Sequence, residues 1–340
     1  MQERSTRRQF LGRAGEAIIL SAFTGSDCFG LDSQAASPQD PAYRSGRRSL
    51  CRKNPPPGKP LRAHKTDTGI QATDHRAERI ITFIADASRL KGGDLELCSE
   101  YGRIEVMDSD DGQARLQILL SAAGEGAAKA IEDTDVRAHL TADNGMLRVS
   151  VWHETQGFTP QSQPCWVSIR LQVPLANQYK LDAMANHGCV GVHRLTLAGC
   201  KLRGLVGIKV KGIKGYHGGH DLHNVVLSGD LDVSTEGPSD FGDAWIHATL
   251  RAISSCKVQA RANGGNIWLS FTPDSRTGLN VIGRSEEGMV LVRIGEDATA
   301  PPLSQARSEL RARSKGYESK PVQIEATATS SHGDVTVVMI

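Results

Sequence analysis

The sequence predicts an all-β fold, built as a β-solenoid: a β-helix-like stack of short strands joined by glycine turns. Apolar and polar residues alternate along most of the chain from Arg79 onward. Aromatic residues make up only 5% of the chain, whereas 35 of its 340 residues are glycine. Period-two alternation is typical of strands, and a glycine-rich chain with few aromatic residues suits many short strands better than a helical core.

A recurring phrase favours stacking of the strands. A short pattern recurs at nearly constant intervals: a polar residue, a glycine, any residue and then alternating apolar and polar residues. In addition, residues 167–192 align with residues 267–292. Repeated strand–turn units indicate an architecture in which each unit buries its apolar face against its neighbours. A β-sandwich also uses glycine turns and remains the alternative. The predicted turn-defining glycines are Gly102, Gly145, Gly188, Gly229, Gly265, Gly288 and Gly333.

The stretch MANHGCVGV, residues 184–192, brings a histidine, a cysteine and two glycines together. We interpret His187–Gly188 as equivalent to Asn144–Gly145 and to His332–Gly333. Glycine adopts a positive φ without a Cβ clash, and the polar residue before it caps the turn. The stretch is therefore predicted to be a turn and not a reactive site.

The N-terminus predicts export. Arg7 and Arg8 are followed by Phe10, Leu11 and a modest apolar run, in the order of a twin-arginine signal. The run is too short for a membrane span, and no other run in the mature chain is long enough. Residues 1–28 are predicted to be the signal peptide. Cys28 is a possible lipidation site, although Asp27 fits a lipidation sequence poorly.

The remaining chain is expected to have two parts. Residues 29–78, rich in proline, serine and charge, are predicted to be a flexible linker. Residues 79–340 are predicted to be the β-repeat domain, with a polar insertion at 301–320. Helical patterns are expected only around residue 130 and at 303–316.

The combination V-x-I-x-L-x-V-P, an intervening strand and N/H/S-G-x-V-x-V resembles a family of bacterial domains known as "putative adhesins". The resemblance covers roughly residues 80–340. It implies an exported or membrane-attached protein whose repeats form a β-solenoid. The family offers no catalytic residues to carry over, and residues 202–226 and 303–316 depart from its pattern.

Candidate chemistry is sparse. His217, His220 and His223 lie near Asp221 and are weak candidates for a zinc or nickel site, but a spacing of three alternates faces on a strand. Lys209, Lys211 and Lys214 could face an anionic glycan. The aspartates of 108–112 and 237–243 match no known calcium loop. We therefore predict no metal or other cofactor and no catalytic residue, and the binding residues stay unknown.

The sequence thus favours a non-catalytic, exported, adhesin-like protein of the periplasm, cell envelope or cell surface. Its expected partner is a cell-surface glycan or an envelope protein. A net charge of +2 gives no basic face for nucleic acid. The alternative is a β-helical carbohydrate-active enzyme, a polysaccharide lyase or hydrolase, which would need a groove lined by acidic and basic residues from consecutive strands.

Overall fold

The computed structural model describes residues 55–155, 165–205, 219–236, 245–295 and 309–339. All of them belong to one unit of the chain. They form 23 strands, one α-helix and a 3-10 turn at Tyr317–Ser319, so the predicted all-β fold is confirmed. In this part of the chain, no helix is long and apolar enough to cross a membrane.

The strands follow one another through the described residues from Lys59 to Met339. The first nine are β1 Lys59–Pro60, β2 Ala63–Asp67, β3 Gln71–Ala72, β4 Arg76–Asp86, β5 Gly92–Tyr101, β6 Ile104–Ser109, β7 Gln113–Ala123, β8 Thr134–Asp143 and β9 Met146–Thr155, with helix α1 Ala127–Glu132 between β7 and β8. The next seven are β10 Trp166–Pro174, β11 Gln178–His187, β12 Val190–His193, β13 Thr196–Leu205, β14 Gly219–Leu227, β15 Leu231–Glu236 and β16 Trp245–Ala252. The last seven are β17 Cys256–Ala262, β18 Ile267–Phe271, β19 Thr277–Ser285, β20 Val290–Ile294, β21 Glu309–Arg313, β22 Val322–Ser330 and β23 Val335–Met339.

Parallel pairing arranges most of the strands into two series, and from β11 to β18 each strand pairs with the one two elements along the chain. One series, which we call the first ladder, has the spatial order β9, β5, β11, β13, β15, β17, β22 and β19. The other, the second ladder, has the order β10, β6, β12, β14, β16, β18, β23 and β20. The chain crosses from the first ladder to the second and back, since β5 precedes β6, β11 precedes β12, and so on along the chain.

The two ladders share one hydrophobic core. Leu95 and Leu97 of β5 and Ile104 and Val106 of β6 are all buried in the same cluster. Alternate residues of each strand point into this cluster because successive side chains of a strand project to opposite faces. Each buried aliphatic side chain stabilises the fold by roughly 2 kcal/mol. The outward residues of the same strands remain available for recognition.

Antiparallel strands cover three of the four outer strands of the ladders. β8 pairs with β9, β7 pairs with β10, and β21 pairs with β19. Helix α1 connects β7 to β8 and buries Ile131, as the pattern around residue 130 predicts. Covering an outer strand satisfies its backbone groups and removes a template for edge-to-edge aggregation.

The spatial order departs from the chain order at both ends of the ladders. At one end, β9 and β10 lie outside β5 and β6. At the other end, β22 lies between β17 and β19 in the first ladder, and β23 lies between β18 and β20 in the second. Residues 322–339 thus form the next-to-last strand of each ladder, although they come last among the described residues. Nothing in the alternation pattern indicates this exchange.

The connections from the first ladder to the second stack closely on one another. A Cβ atom on Gly188 would overlap the carbonyl oxygen of Gly102, and a Cβ on Gly333 would overlap that of Gly265. Gly288 lies against Gly333 in the same way. Gly188, Gly288 and Gly333 do not have positive φ. Glycine is therefore required at these three connections by close approach of backbone and not, as the sequence suggested, by conformation.

A serine three residues before the glycine completes the connection. Ser330 Oγ donates a hydrogen bond of 2.7 Å to the carbonyl of Gly265 and accepts one of 2.9 Å from the N–H of Gly333. Ser285 Oγ does the same with the carbonyl of Gly333 and the N–H of Gly288, both at 2.8 Å. Both serines are buried. Their hydroxyls thus join one connection to the next where no water reaches.

The predicted glycines do not all occupy equivalent positions. Asn144 and Gly145 have φ values of 52° and 76° and form the two-residue turn of the antiparallel hairpin β8–β9. Gly229 lies in the connection from β14 to β15, which returns from the second ladder to the first. The predicted equivalence of His187–Gly188 with Asn144–Gly145 is therefore wrong. The first pair lies at the connection from β11 to β12, which joins the two ladders, whereas the second forms a hairpin turn, and the two connections have similar local sequences.

Two further expectations differ from the structure. Residues 309–313, within the segment with a helical pattern, form strand β21, because pairing with β19 overrides local helical propensity. Residues 59–72, within the predicted linker, contain β1, β2 and β3, which pair with β8 and β4. Strand structure therefore begins upstream of residue 79.

We expect Gly333→Ala to lower the free energy of unfolding by about 2 kcal/mol or more, because the added methyl group must displace the Gly265 carbonyl from a packed connection. Gly199→Ala is the matched control, since a Cβ there meets no atom within 4 Å, and it is expected to be neutral or slightly stabilising. Urea unfolding followed by circular dichroism measures both. Equal stabilities for the two variants would contradict the close-approach explanation.

Candidate functional site

The structure separates the histidines that the sequence grouped. His220 points into the core and is fully buried, with Nε2 2.9 Å from the carbonyl oxygen of Ser234. His223 points outward and is exposed, because the two residues lie on opposite faces of β14. His217 lies outside the described residues. Within the described ranges, no group of three His, Cys, Asp or Glu side chains is arranged to hold a metal ion.

A different set of residues converges on the outer face of the second ladder. The parallel register places Gly191, Asp221, His247 and Trp268 side by side on β12, β14, β16 and β18. A second pair, His193 and His223, lies next to them on β12 and β14. We call these six residues the histidine patch.

The centre of the histidine patch is an acid–imidazole pair. Nδ1 of His247 lies 3.4 Å from Oδ1 of Asp221. This contact lowers the pKa of Asp221 and raises the pKa of His247 from their ordinary values. The carboxylate therefore stays ionised at neutral pH and offers acceptor oxygens toward solvent, and His247 protonates more readily than a free imidazole.

Aromatic rings flank this pair on both sides. The ring of Trp268 lies edge-on to His247 with centroids 6.5 Å apart, and the rings of His193 and His223 lie 6.4 Å apart. Burial lowers the pKa of His193 from its ordinary value, so this imidazole is neutral at pH 7. Trp268 is 48% exposed, although a tryptophan usually packs most of its surface against protein.

A cluster of three charged residues borders one side of the histidine patch. Glu105 of β6 lies beside Gly191 in the strand register. Its two carboxylate oxygens form ion pairs with the guanidinium groups of Arg103 and Arg170, with N–O distances of 2.9 Å each. Gly191 contributes no side chain, and a Cβ there would lie 3.0 Å from Nε2 of His193. The imidazole of His193 therefore occupies the space above Gly191 that a side chain would fill.

A charged cleft lies on the outer face of the first ladder. Its cavity of about 490 Å³ is lined by Pro55–Pro57 and by Asp94, Glu96, Arg148, Lys180, Asp182 and Lys201. Arg148 forms an ion pair with Asp94, with a nitrogen–oxygen distance of 2.8 Å, and Arg203 forms one with Asp182 at 2.6 Å. Acidic and basic residues from consecutive strands thus line the cleft, and two of its carboxylates are already neutralised by arginine.

Other predicted residues fall outside this face. Arg7, Arg8, Phe10, Leu11 and Cys28 lie outside the described residues, as do Lys209, Lys211 and Lys214. Cys98 is disulfide-bonded, whereas Cys165, Cys200 and Cys256 are buried thiols. Burial raises the pKa of Cys165 and of Cys256 to about 11, so neither thiol is reactive at neutral pH.

Sequence reasoning missed the histidine patch because its members come from four strands that are distant in the chain. Each strand contributes one or two polar or aromatic residues in an alternating pattern, which by itself looks like any solvated face. Only the pairing register brings them together. The signal available in the sequence was the outward position of Asp221 and His223 within GHDLH.

Comparison with known proteins finds no matching family model and no matching curated protein. Among solved structures, a putative cell adhesion protein from Clostridium sporogenes is 8% identical with a TM-score of 0.40, covering 77% of this chain and 100% of its own. A putative adhesin from Bacteroides fragilis is 13% identical with a TM-score of 0.26, covering 77% and 97%. A putative lipid binding protein from Parabacteroides distasonis is 9% identical with a TM-score of 0.20, covering 75% and 96%.

The identities and TM-scores are too low to establish a common fold or a common function.

The buried histidines make the stability of the protein depend on pH. Burial lowers the pKa of His220 and of His153 to about 4. Because each pKa lies below the unfolded value of about 6.5, the unfolded chain binds more protons between these values. The contribution of each neutral histidine to the free energy of unfolding is therefore complete above pH 6.5. It falls as the pH drops toward 4, by roughly 3 kcal/mol for each histidine.

We expect His220→Gln to flatten this dependence, since glutamine can donate to the Ser234 carbonyl without gaining a proton. Thermal melts between pH 7 and pH 4 test this. The exposed His223→Gln is the control and should melt with the pH dependence of the parent. A His220→Gln variant as acid-labile as the parent would contradict the assignment.

Proposed function

We propose that the chain is an exported, non-catalytic, adhesin-like β-solenoid protein that acts in cell-envelope or surface interactions. The observation that carries the proposal is the parallel register of the second ladder. It aligns outward side chains of consecutive strands into one open face that includes the histidine patch. An aligned face of this kind presents repeated polar and aromatic groups to an extended partner.

The solenoid assignment is supported by the alternation between ladders. Each first-ladder strand is followed by a second-ladder strand, and both pair in parallel with the strands of the next unit. Parallel strands need crossover connections, which successive units of a solenoid provide. A sandwich of hairpins would instead pair most consecutive strands antiparallel.

Export is supported by two independent features. The twin-arginine sequence at residues 5–12 is an address for export, and Cys98 is disulfide-bonded, which is typical of oxidising compartments. We place the signal at residues 1–28, with lipidation of Cys28 as a possible anchor to the envelope. A periplasmic or surface location follows from this reading.

A carbohydrate-active enzyme is the second candidate, and the charged cleft is the observation in its favour. It combines Asp94, Glu96 and Asp182 with Lys180 on neighbouring strands, which is the residue chemistry of a polysaccharide lyase or hydrolase. The arginine pairs at Asp94 and Asp182 count against it, because a paired carboxylate is a poor proton acceptor.

Incubation of the mature protein with isolated cell envelopes and with a panel of polysaccharides separates the two candidates. We expect saturable binding to envelopes and no new reducing or unsaturated chain ends. Asp94→Asn/Asp182→Asn should bind envelopes like the parent. Release of chain ends that the double variant abolishes would establish the enzyme in place of the adhesin.

Export is tested with a reporter fused to residues 1–54. We expect Arg7→Lys/Arg8→Lys to retain the reporter in the cytoplasm, because paired arginines are the recognised element of the signal. Cys28→Ser should leave export intact and, if the cysteine is lipidated, shift the reporter from the membrane to the soluble periplasmic fraction. Undiminished export of the double lysine variant would exclude the twin-arginine route.

A further inference from the structure

We propose that the histidine patch binds an uncharged glycan chain, laid across β12, β14, β16 and β18 with about one sugar unit per strand. The inference rests on the proposed surface role and names its ligand class and its site.

Trp268 supplies the stacking surface for a sugar ring. Of the four large hydrophobic side chains exposed in the described residues, it is the aromatic one. The other three, Leu175, Ile253 and Met289, lie outside the column of the histidine patch. An indole combines a broad apolar face with a polar N–H, which suits a ligand that is apolar on one face and hydroxylated at its edge.

The hydrogen-bonding groups beside Trp268 match sugar hydroxyls. The ionised carboxylate of Asp221 accepts hydrogen bonds, and the neutral imidazole of His193 has one donor and one acceptor nitrogen. A hydroxyl is both a donor and an acceptor, so it can satisfy either group. A few convergent polar groups beside an apolar surface are the usual composition of a ligand site.

The register sets the length and direction of the ligand. Neighbouring strands lie about 4.8 Å apart, so equivalent positions on consecutive strands recur at nearly the length of one pyranose unit in an extended chain. Gly191, Asp221, His247 and Trp268 occupy four consecutive positions of one column. At the Gly191 position, the imidazole of His193 supplies the hydrogen-bonding contact for the sugar unit farthest from Trp268.

The charge balance favours an uncharged chain over an anionic one. The permanent charges at the patch and its border are Arg103 and Arg170 against Glu105 and Asp221, and His247, whose pKa is raised, is paired with Asp221. Both arginines are held by Glu105 at 2.9 Å, so no unpaired cation is offered to a sugar carboxylate. Asp221 would repel such a carboxylate in the middle of the column.

The test is isothermal titration of the mature protein at pH 7.5 with uncharged cello- and chito-oligosaccharides of two to six units, and with oligogalacturonate as the anionic comparator. We expect affinity for one uncharged series to rise with chain length and to level off at about four units. Oligogalacturonate should bind more weakly. Preference for oligogalacturonate, or no binding of either uncharged series, would overturn the proposal.

Two variants place the binding on the histidine patch. Trp268→Ala should lower affinity about tenfold, the size expected for loss of aromatic stacking, and Asp221→Asn should also weaken binding. Ile253→Ala is the control, because Ile253 is 44% exposed and lies outside the column. Full affinity in Trp268→Ala, with a melting temperature like that of the parent, would remove the site from this face.

The result is distinguishable from failure of the surface role itself. Saturable binding to envelopes without oligosaccharide binding would overturn the glycan ligand and leave the surface role standing. Loss of both would overturn the two proposals together.

Discussion

The contact on which the rest of the structure depends is the close approach of backbone at the connections between the ladders. Where a glycine lies against the carbonyl of the neighbouring connection, one unit can stack on the next at the spacing that parallel strand pairing requires. Ser285 and Ser330 hold these contacts by hydrogen bonds to the same carbonyls. Ser99, which precedes Gly102 by three residues, donates to the carbonyl of Val167 in the same manner. A serine–glycine pair thus keeps consecutive units in register.

Fixed register has a direct effect on the surface. Because every strand of a ladder is aligned with its neighbour, outward residues that are far apart in the chain form straight columns. On the first ladder these columns hold ion pairs between strands, such as Arg203 with Asp182 and Arg261 with Asp232. Exposed pairs of this kind contribute little to stability. On the second ladder the equivalent column holds Asp221, His247 and Trp268, where charge pairing is partly replaced by aromatic and imidazole groups.

Much of the fold followed from the sequence, because strand alternation and glycine-rich connections are local properties. The strands of residues 79–155 and the helix at Ala127–Glu132 could be predicted from such patterns. The spatial order of the strands could not be predicted. The sequence of β22 has the same alternation as the other strands, and its position between β17 and β19 depends on pairing between segments that are distant in the chain. Gly145 and Gly188 could not be distinguished, because the same short phrase serves a hairpin and a parallel crossing. The histidine patch depends on the register of four strands, and GHDLH pointed only to Asp221 and His223.

The exchange of order between β19–β20 and β22–β23 has a consequence for how the chain reaches its folded state. During synthesis, β13 to β18 can stack in the order in which they emerge, because each pairs in parallel with the strand two elements before it. β19 and β20 have no parallel partner until residues 322–339 are made, because β22 and β23 separate them from β17 and β18. Such delayed pairing prolongs the exposure of apolar strand edges. The last described strands, β22 and β23, therefore join β19 and β20 to the rest of the stack. Their loss would remove an interior strand from each ladder and leave β19 and β20 without their parallel partners.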